Sequence, residues 1–123
     1  MNELYRLTIL GEPASKANSR KIVSFGGKPA SIKSDKARAY SQEFLKQCPQ
    51  LERPFSADLH LDIRIWYASR RPDLDESLIL DLLQKRIYFN DRQVKSRRTR
   101  WGLDKNNPRT EIVIRAMTED DYA

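Results

Sequence analysis

Polar and apolar positions alternate along this chain at two periods. "ELYRLTIL" sets Tyr5, Leu7 and Ile9 on one side against polar neighbours, the period-two pattern of a half-buried strand. "ADLHLDIRIWY" repeats it more strongly. Leu59, Leu61, Ile63, Ile65 and Tyr67 share one face, and Asp58, His60, Asp62, Arg64 and Trp66 share the other. Two more strands are predicted at "RQVKSRRTRW" and "RTEIVIRAM"; joined by the turn-rich "GLDKNNP", they read as an antiparallel hairpin.

Helical spacing occurs twice. Ala37, Tyr40, Phe44 and Cys48 recur on one face of "SDKARAYSQEFLKQC", with Ser34 or Asp35 as N-cap and Pro49 as the stop. "LILDLLQKR" is a second, short and strongly apolar helix. Between the first strand and the first helix, "GEPASKANSRK" is a polar loop, and "KIVSFGGKPASIK" is a short hairpin turning at Gly26-Gly27. The order predicts an α+β (mixed α/β) domain over 1–117, with two helices packed on one small mixed sheet. The tail "TEDDYA", 118–123, is expected to be disordered.

Composition narrows the function. Lys and Arg number 23 against 17 Asp and Glu, a net charge of +6, in a chain of 123 residues. That balance suits a polyanionic partner, nucleic acid before an anionic membrane surface, and is also compatible with plain solubility. The one cysteine, Cys48, excludes an intramolecular disulfide and a thiolate zinc cluster, and the one histidine, His60, excludes a histidine-rich metal site. "MNELYRLTIL" carries acid where a signal peptide needs a basic start, so the expected setting is the cytosol.

The candidate chemistry sits in "RPDLDESLILDLLQ". Asp73 and Asp75 project to the same side of an extended segment, and their mutual repulsion calls for a cation. A hard divalent ion, Mg²⁺ or Mn²⁺, prefers such oxygens. A simpler account stands beside it: Asp75 caps the following helix and Asp73 pairs with Arg70 or Arg71. Asp91, in "IYFNDRQV", is a third carboxylate if its loop folds back, or a plain turn residue beside Arg92. Asp81 is explained by an i,i+4 pair with Lys85.

Directly after Asp91 come Arg92, Lys95, Arg97, Arg98 and Arg100 with no acid among them. In a strand, Arg92, Arg98 and Arg100 point one way and Lys95 and Arg97 the other. The stretch is either a solvated edge strand or a track for phosphates beside the acids. Lys16, Asn18, Ser19, Arg20 and Lys21 in the N-terminal loop form a second phosphate-contacting arm or a mobile polar loop.

"RRPDLDESLILDLLQKRIYFNDRQV" resembles the signature of the RusA family of Holliday-junction resolvases, common in phages and prophages, and "GEPASKANSR" with "GGKPASIKSDKARAYSQEF" resembles its N-terminal part. The likeness runs over 4–117. It implies a homodimeric, Mg²⁺-dependent endonuclease in a bacterial host's cytosol, cutting paired strands of four-way DNA junctions to leave 5′-phosphate and 3′-hydroxyl ends. By the same resemblance Asp73, Asp75 and Asp91 are the essential acids. Arg70, Arg71 and Lys85 join the loop and strand cations as DNA contacts. Two positions depart from the pattern: Glu76 stands where most members have Asn, and Ile79 where most have Lys. The segment from the helix to Asp91 is also shorter. Lys85 or the arginines after Asp91 are the candidate substitutes for that lysine, and Glu76 is a candidate fourth metal ligand. The alternative reading is a decayed module that binds branched DNA without cutting it.

Overall fold

The computed structural model describes residues 4–15 and 20–123. Its main sheet has four strands, β1 (Leu4–Leu10), β4 (Leu59–Tyr67), β5 (Val94–Leu103) and β6 (Arg109–Ala116), in the order β1-β6-β4-β5. A separate hairpin pairs β2 (Arg20–Phe25) with β3 (Lys28–Lys33). The predicted α+β class holds. No helix among the described residues is long and apolar enough to cross a membrane.

The alternation along β4 decides which side the helices cover. Leu59, Leu61, Ile63, Ile65 and Tyr67 are buried, and they meet Ile79 and Leu83 of helix α2 (Ser77–Leu83), Ile87 and Tyr88 just after it, and Tyr40 and Phe44 of helix α1 (Asp35–Gln47) with Cys48 at its end. Helix α1 starts where Ser34 Oγ accepts the Ala37 N–H at 3.2 Å, the expected cap. Burial pushes the Cys48 thiol pKa up, as befits a core residue. At the β2–β3 turn Gly26 and Gly27 take φ of 56° and 82°, which suit glycine because they avoid a Cβ clash.

Three expectations fail, each for a physical reason. β5 and β6 do not pair: β5 runs parallel to β4 at the sheet's edge, while β6 lies antiparallel between β4 and β1. β6 buries Thr110, Ile112 and Ile114 and so belongs inside the sheet, whereas the cation-rich β5 tolerates an edge. Helix α2 covers only Ser77–Leu83, because the chain turns at Lys85 with φ of 70°, and the expected Asp81–Lys85 pair is absent among the described residues. The tail is ordered: Glu119–Tyr122 forms a 3-10 turn, Asp121 clamps Arg115 at 2.8 and 3.0 Å, and Tyr122 Oη donates to Asp58 at 2.6 Å.

Candidate functional site

β4 ends in a buried tyrosine, and that residue organises the acid loop. Tyr67 Oη donates to the Asp73 carbonyl at 3.1 Å and accepts the Asp75 N–H at 3.4 Å. Its ring stacks on Trp101 of β5, with centroids 5.8 Å apart, and Trp101 Nε1–H donates to the Pro72 carbonyl at 3.1 Å. Two aromatic side chains on neighbouring strands thus hold the backbone of 72–75. Burial first, and then the carboxylates of Asp75, Glu12 and Glu76, push the Tyr67 phenol above its ordinary pKa. It therefore stays a neutral donor at physiological pH.

Glu76, not Asp75, holds the N-cap position of α2 and makes no side-chain cap bond, but Asp75 just before it does bind the first helical residue. Asp75 Oδ1 accepts both the Ser77 N–H at 3.0 Å and the Ser77 hydroxyl at 2.7 Å, which fixes the carboxylate at the mouth of α2. Asp73 is exposed and forms no ion pair with Arg70 or Arg71 among the described residues. Glu76, the candidate fourth ligand, is instead engaged: its Oε1 lies 3.2 Å from Arg97 Nε. Ile79, the position of the missing lysine, is fully buried and has no outlet for a cation.

Asp91 lies beyond the other end of α2, opening a short 3-10 turn over Asp91–Gln93 that Asn90 caps. Its N–H donates to Gln84 Oε1 at 3.1 Å. The turn is secured by Gln93, whose Oε1 accepts from Phe89 and Asn90 at 2.9 Å each. The Gln93 amide donates to the Phe55 and Ala57 carbonyls at 2.8 and 3.0 Å. All four hydrogen-bonding valences of that side chain are used.

The fold gathers Asp73, Asp75 and Glu76 beside Tyr67 and leaves Asp91 at the far end of the helix. Among the described residues no three His, Cys, Asp or Glu side chains lie close enough together to hold a metal ion. In donor chemistry the three aspartates still suit a hard divalent cation, and Asp73 and Asp91 are open to solvent.

The cations divide. Arg97 stands on the acid side, whereas Arg98 and Arg100 point through the sheet to the other face, and Lys95 falls in a bulge where the β4 register slips. Arg20 folds back on the Ser31 carbonyl at 2.6 Å and Lys21 pairs with Asp35 at 3.0 Å. Arg70, Arg71, Lys85 and Arg92 are exposed. Lys16, Asn18 and Ser19 lie outside the described residues.

Four residues of this site carry no motif of their own. Tyr67 and Trp101 read as core, Gln93 as a strand residue, and Glu12 as part of a polar loop. Glu12 accepts the Ala68 N–H at 2.9 Å and sits 3.5 Å from Lys36, tying the N-terminal loop to the start of the acid loop. A glutamate between Gly11 and Pro13, directly after a strand, was the available signal.

Acids presented at a strand end, under a basic surface, are the features of a nucleic-acid-processing domain, and the profile of an endodeoxyribonuclease family matches residues 11–115. That family is RusA, and the chain belongs to it. No curated protein matches the chain.

Proposed function

We propose that this protein is a metal-dependent endonuclease that resolves four-way DNA junctions by paired phosphodiester hydrolysis. The observation that carries the reading is the acid loop, with Asp73 and Asp75 displayed by Tyr67 and Trp101 in a member of the RusA family. RusA nucleases generally depend on a divalent metal, and here Asp73, Asp75 and Asp91 would hold it, with Mg²⁺ the ion that suits such oxygens. Bound there, such an ion supplies an activated water at neutral pH and stabilises the departing oxyanion.

The chain's own residues do the rest. Ser77 orients the Asp75 carboxylate, Tyr67 holds the loop backbone as a neutral donor, and Arg97 offers a guanidinium beside the acids, tethered by Glu76. Arg70, Arg71, Lys85 and Arg92 are free to meet phosphates. A two-fold dimer presents two equivalent acid loops to two strands of a junction that is itself nearly two-fold symmetric.

One observation favours the non-cutting alternative, since the cation usual on the helix is replaced by the buried Ile79. Labelled four-way junction and linear duplex, each with Mg²⁺ or EDTA, separate the two readings. Symmetric, Mg²⁺-dependent nicking of the junction supports the nuclease; tight binding without nicking supports the decayed module. Asp75→Asn keeps a carbonyl oxygen that can still accept from the Ser77 N–H and hydroxyl. It is expected to lower the nicking rate by roughly 100-fold or more while junction affinity is retained. Undiminished nicking removes Asp75 from the site.

A further inference from the structure

The pleat of the main sheet gives this protein a second charged surface that faces away from the acid loop. On the side without helices the register aligns six arginines: Arg6 of β1, Arg109 and Arg115 of β6, Arg64 of β4, and Arg98 and Arg100 of β5. Asp62 and Glu111 oppose them within the strands, Asp104 pairs with Arg109 at 2.8 Å and Asp121 with Arg115, so Arg6, Arg64, Arg98 and Arg100 are the arginines that no carboxylate pairs among the described residues. Within it Arg6, Arg98, Arg100 and Arg115 rim a cleft of about 340 Å³ floored by His60 and Asp62.

The face is built rather than merely charged. Trp66 lies flat against Gly102, where a Cβ would come 2.7 Å from the ring. Its Nε1–H donates to Glu111 at 2.8 Å. The guanidinium carbons of Arg64 and Arg109 sit 4.3 and 4.7 Å from the Trp66 ring, a stack that holds both cations in place. Arg64 Nε is shielded and has no hydrogen-bond partner. Arg115 is fixed by Asp121, while Arg6, Arg98 and Arg100 are exposed and have no carboxylate partner among the described residues.

Resting on the nuclease reading, we infer that this helix-free face is a second DNA-binding surface, seating the sugar–phosphate backbone of a duplex arm remote from the arm being cut. Planar guanidinium groups match phosphate oxygens in pairs, which suits arginine here better than lysine. A second copy of the same face is the weaker occupant: Arg6, Arg98 and Arg100, which no carboxylate pairs among the described residues, would meet their own image across a two-fold axis. Strand alternation keeps the two surfaces apart, because neighbours on β5 such as Arg97 and Arg98 point to opposite sides. A protein that bends or orders a branched substrate gains from two such contacts, since one fixes an arm while the other works on the crossover.

The test is the triple variant Arg6→Ala/Arg98→Ala/Arg100→Ala in the full-length protein, with Arg97→Ala as the variant of the opposite face. The triple variant is expected to flatten the slope of log K against log salt for the junction by roughly 2 to 3. An unchanged melting temperature shows that the variant folds. A native salt slope and affinity in the triple variant overturn the inference. So does a change of oligomeric state at native slope, which makes the face a protein interface. If the native protein itself shows no salt-dependent binding to the junction, the nuclease reading falls and takes this inference with it. Native binding with an unresponsive triple variant sinks the second surface alone.

Discussion

The two sides of β4 carry opposite assignments on one short strand. Toward the helices, Leu59, Leu61, Ile63, Ile65 and Tyr67 are buried and hold the domain together. Toward the open side, His60, Asp62, Arg64 and Trp66 are half-exposed and contribute charge, stacking and hydrogen bonds. The difference shows how a small domain supports a core and a charged surface with one sheet. Period-two alternation separates stability from binding without a second layer.

That division is broken most severely from the buried side. Ile63→Ala is expected to destabilise the domain by about 2–5 kcal/mol, whereas Asp62→Ala, its neighbour on the other face, shifts stability by roughly 0.5 kcal/mol or less. Urea denaturation of both variants measures the contrast; equal losses would mean that the open face is also a packing surface. Gly102→Ala tests that boundary. The added Cβ must displace Trp66, at an expected cost of about 1–3 kcal/mol, and the emission of Trp66 is expected to shift as its stack with Arg64 and Arg109 loosens.

The smallest effect concerns pH. The Arg115 guanidinium first, then the Thr118 N–H, hold the Asp121 carboxyl well below the usual carboxylate range. Such a group binds protons less readily folded than unfolded, so its contribution is complete above roughly pH 4 and is lost as pH falls further. Melting temperatures of the native protein and Asp121→Asn are therefore expected to differ near neutrality and to converge in acid. A gap that persists at low pH would show that Asp121 acts through packing instead of charge.

Much of this was readable residue by residue. Alternation placed the buried faces of β1 and β4, the Ser34 cap and the Gly26-Gly27 turn, because each depends on nearby chain. The β5–β6 hairpin was misread because strands joined by a short turn usually pair. Here the apolar demand of β6 for two neighbours prevailed and placed β4 between them. At the site, Asp73, Asp75 and Asp91 were visible as local patterns. The hands that hold them were not: Trp101 reaches Pro72 and Gln93 reaches Phe55, contacts set by tertiary packing alone. Period two did foretell that Arg98 and Arg100 share a face; it could not say that the acids lie on the opposite one.

The pairing of β1 with β6 alone sets a schedule for synthesis. Leu4 lies opposite Arg115, so β1 closes on a strand made long after it. While the ribosome is still elongating, Tyr5, Leu7 and Ile9 have no sheet to join, and β4 lacks its central neighbour. The nascent chain therefore carries an exposed apolar strand until β6 has emerged, the condition in which chaperones and neighbouring polysomes compete for it.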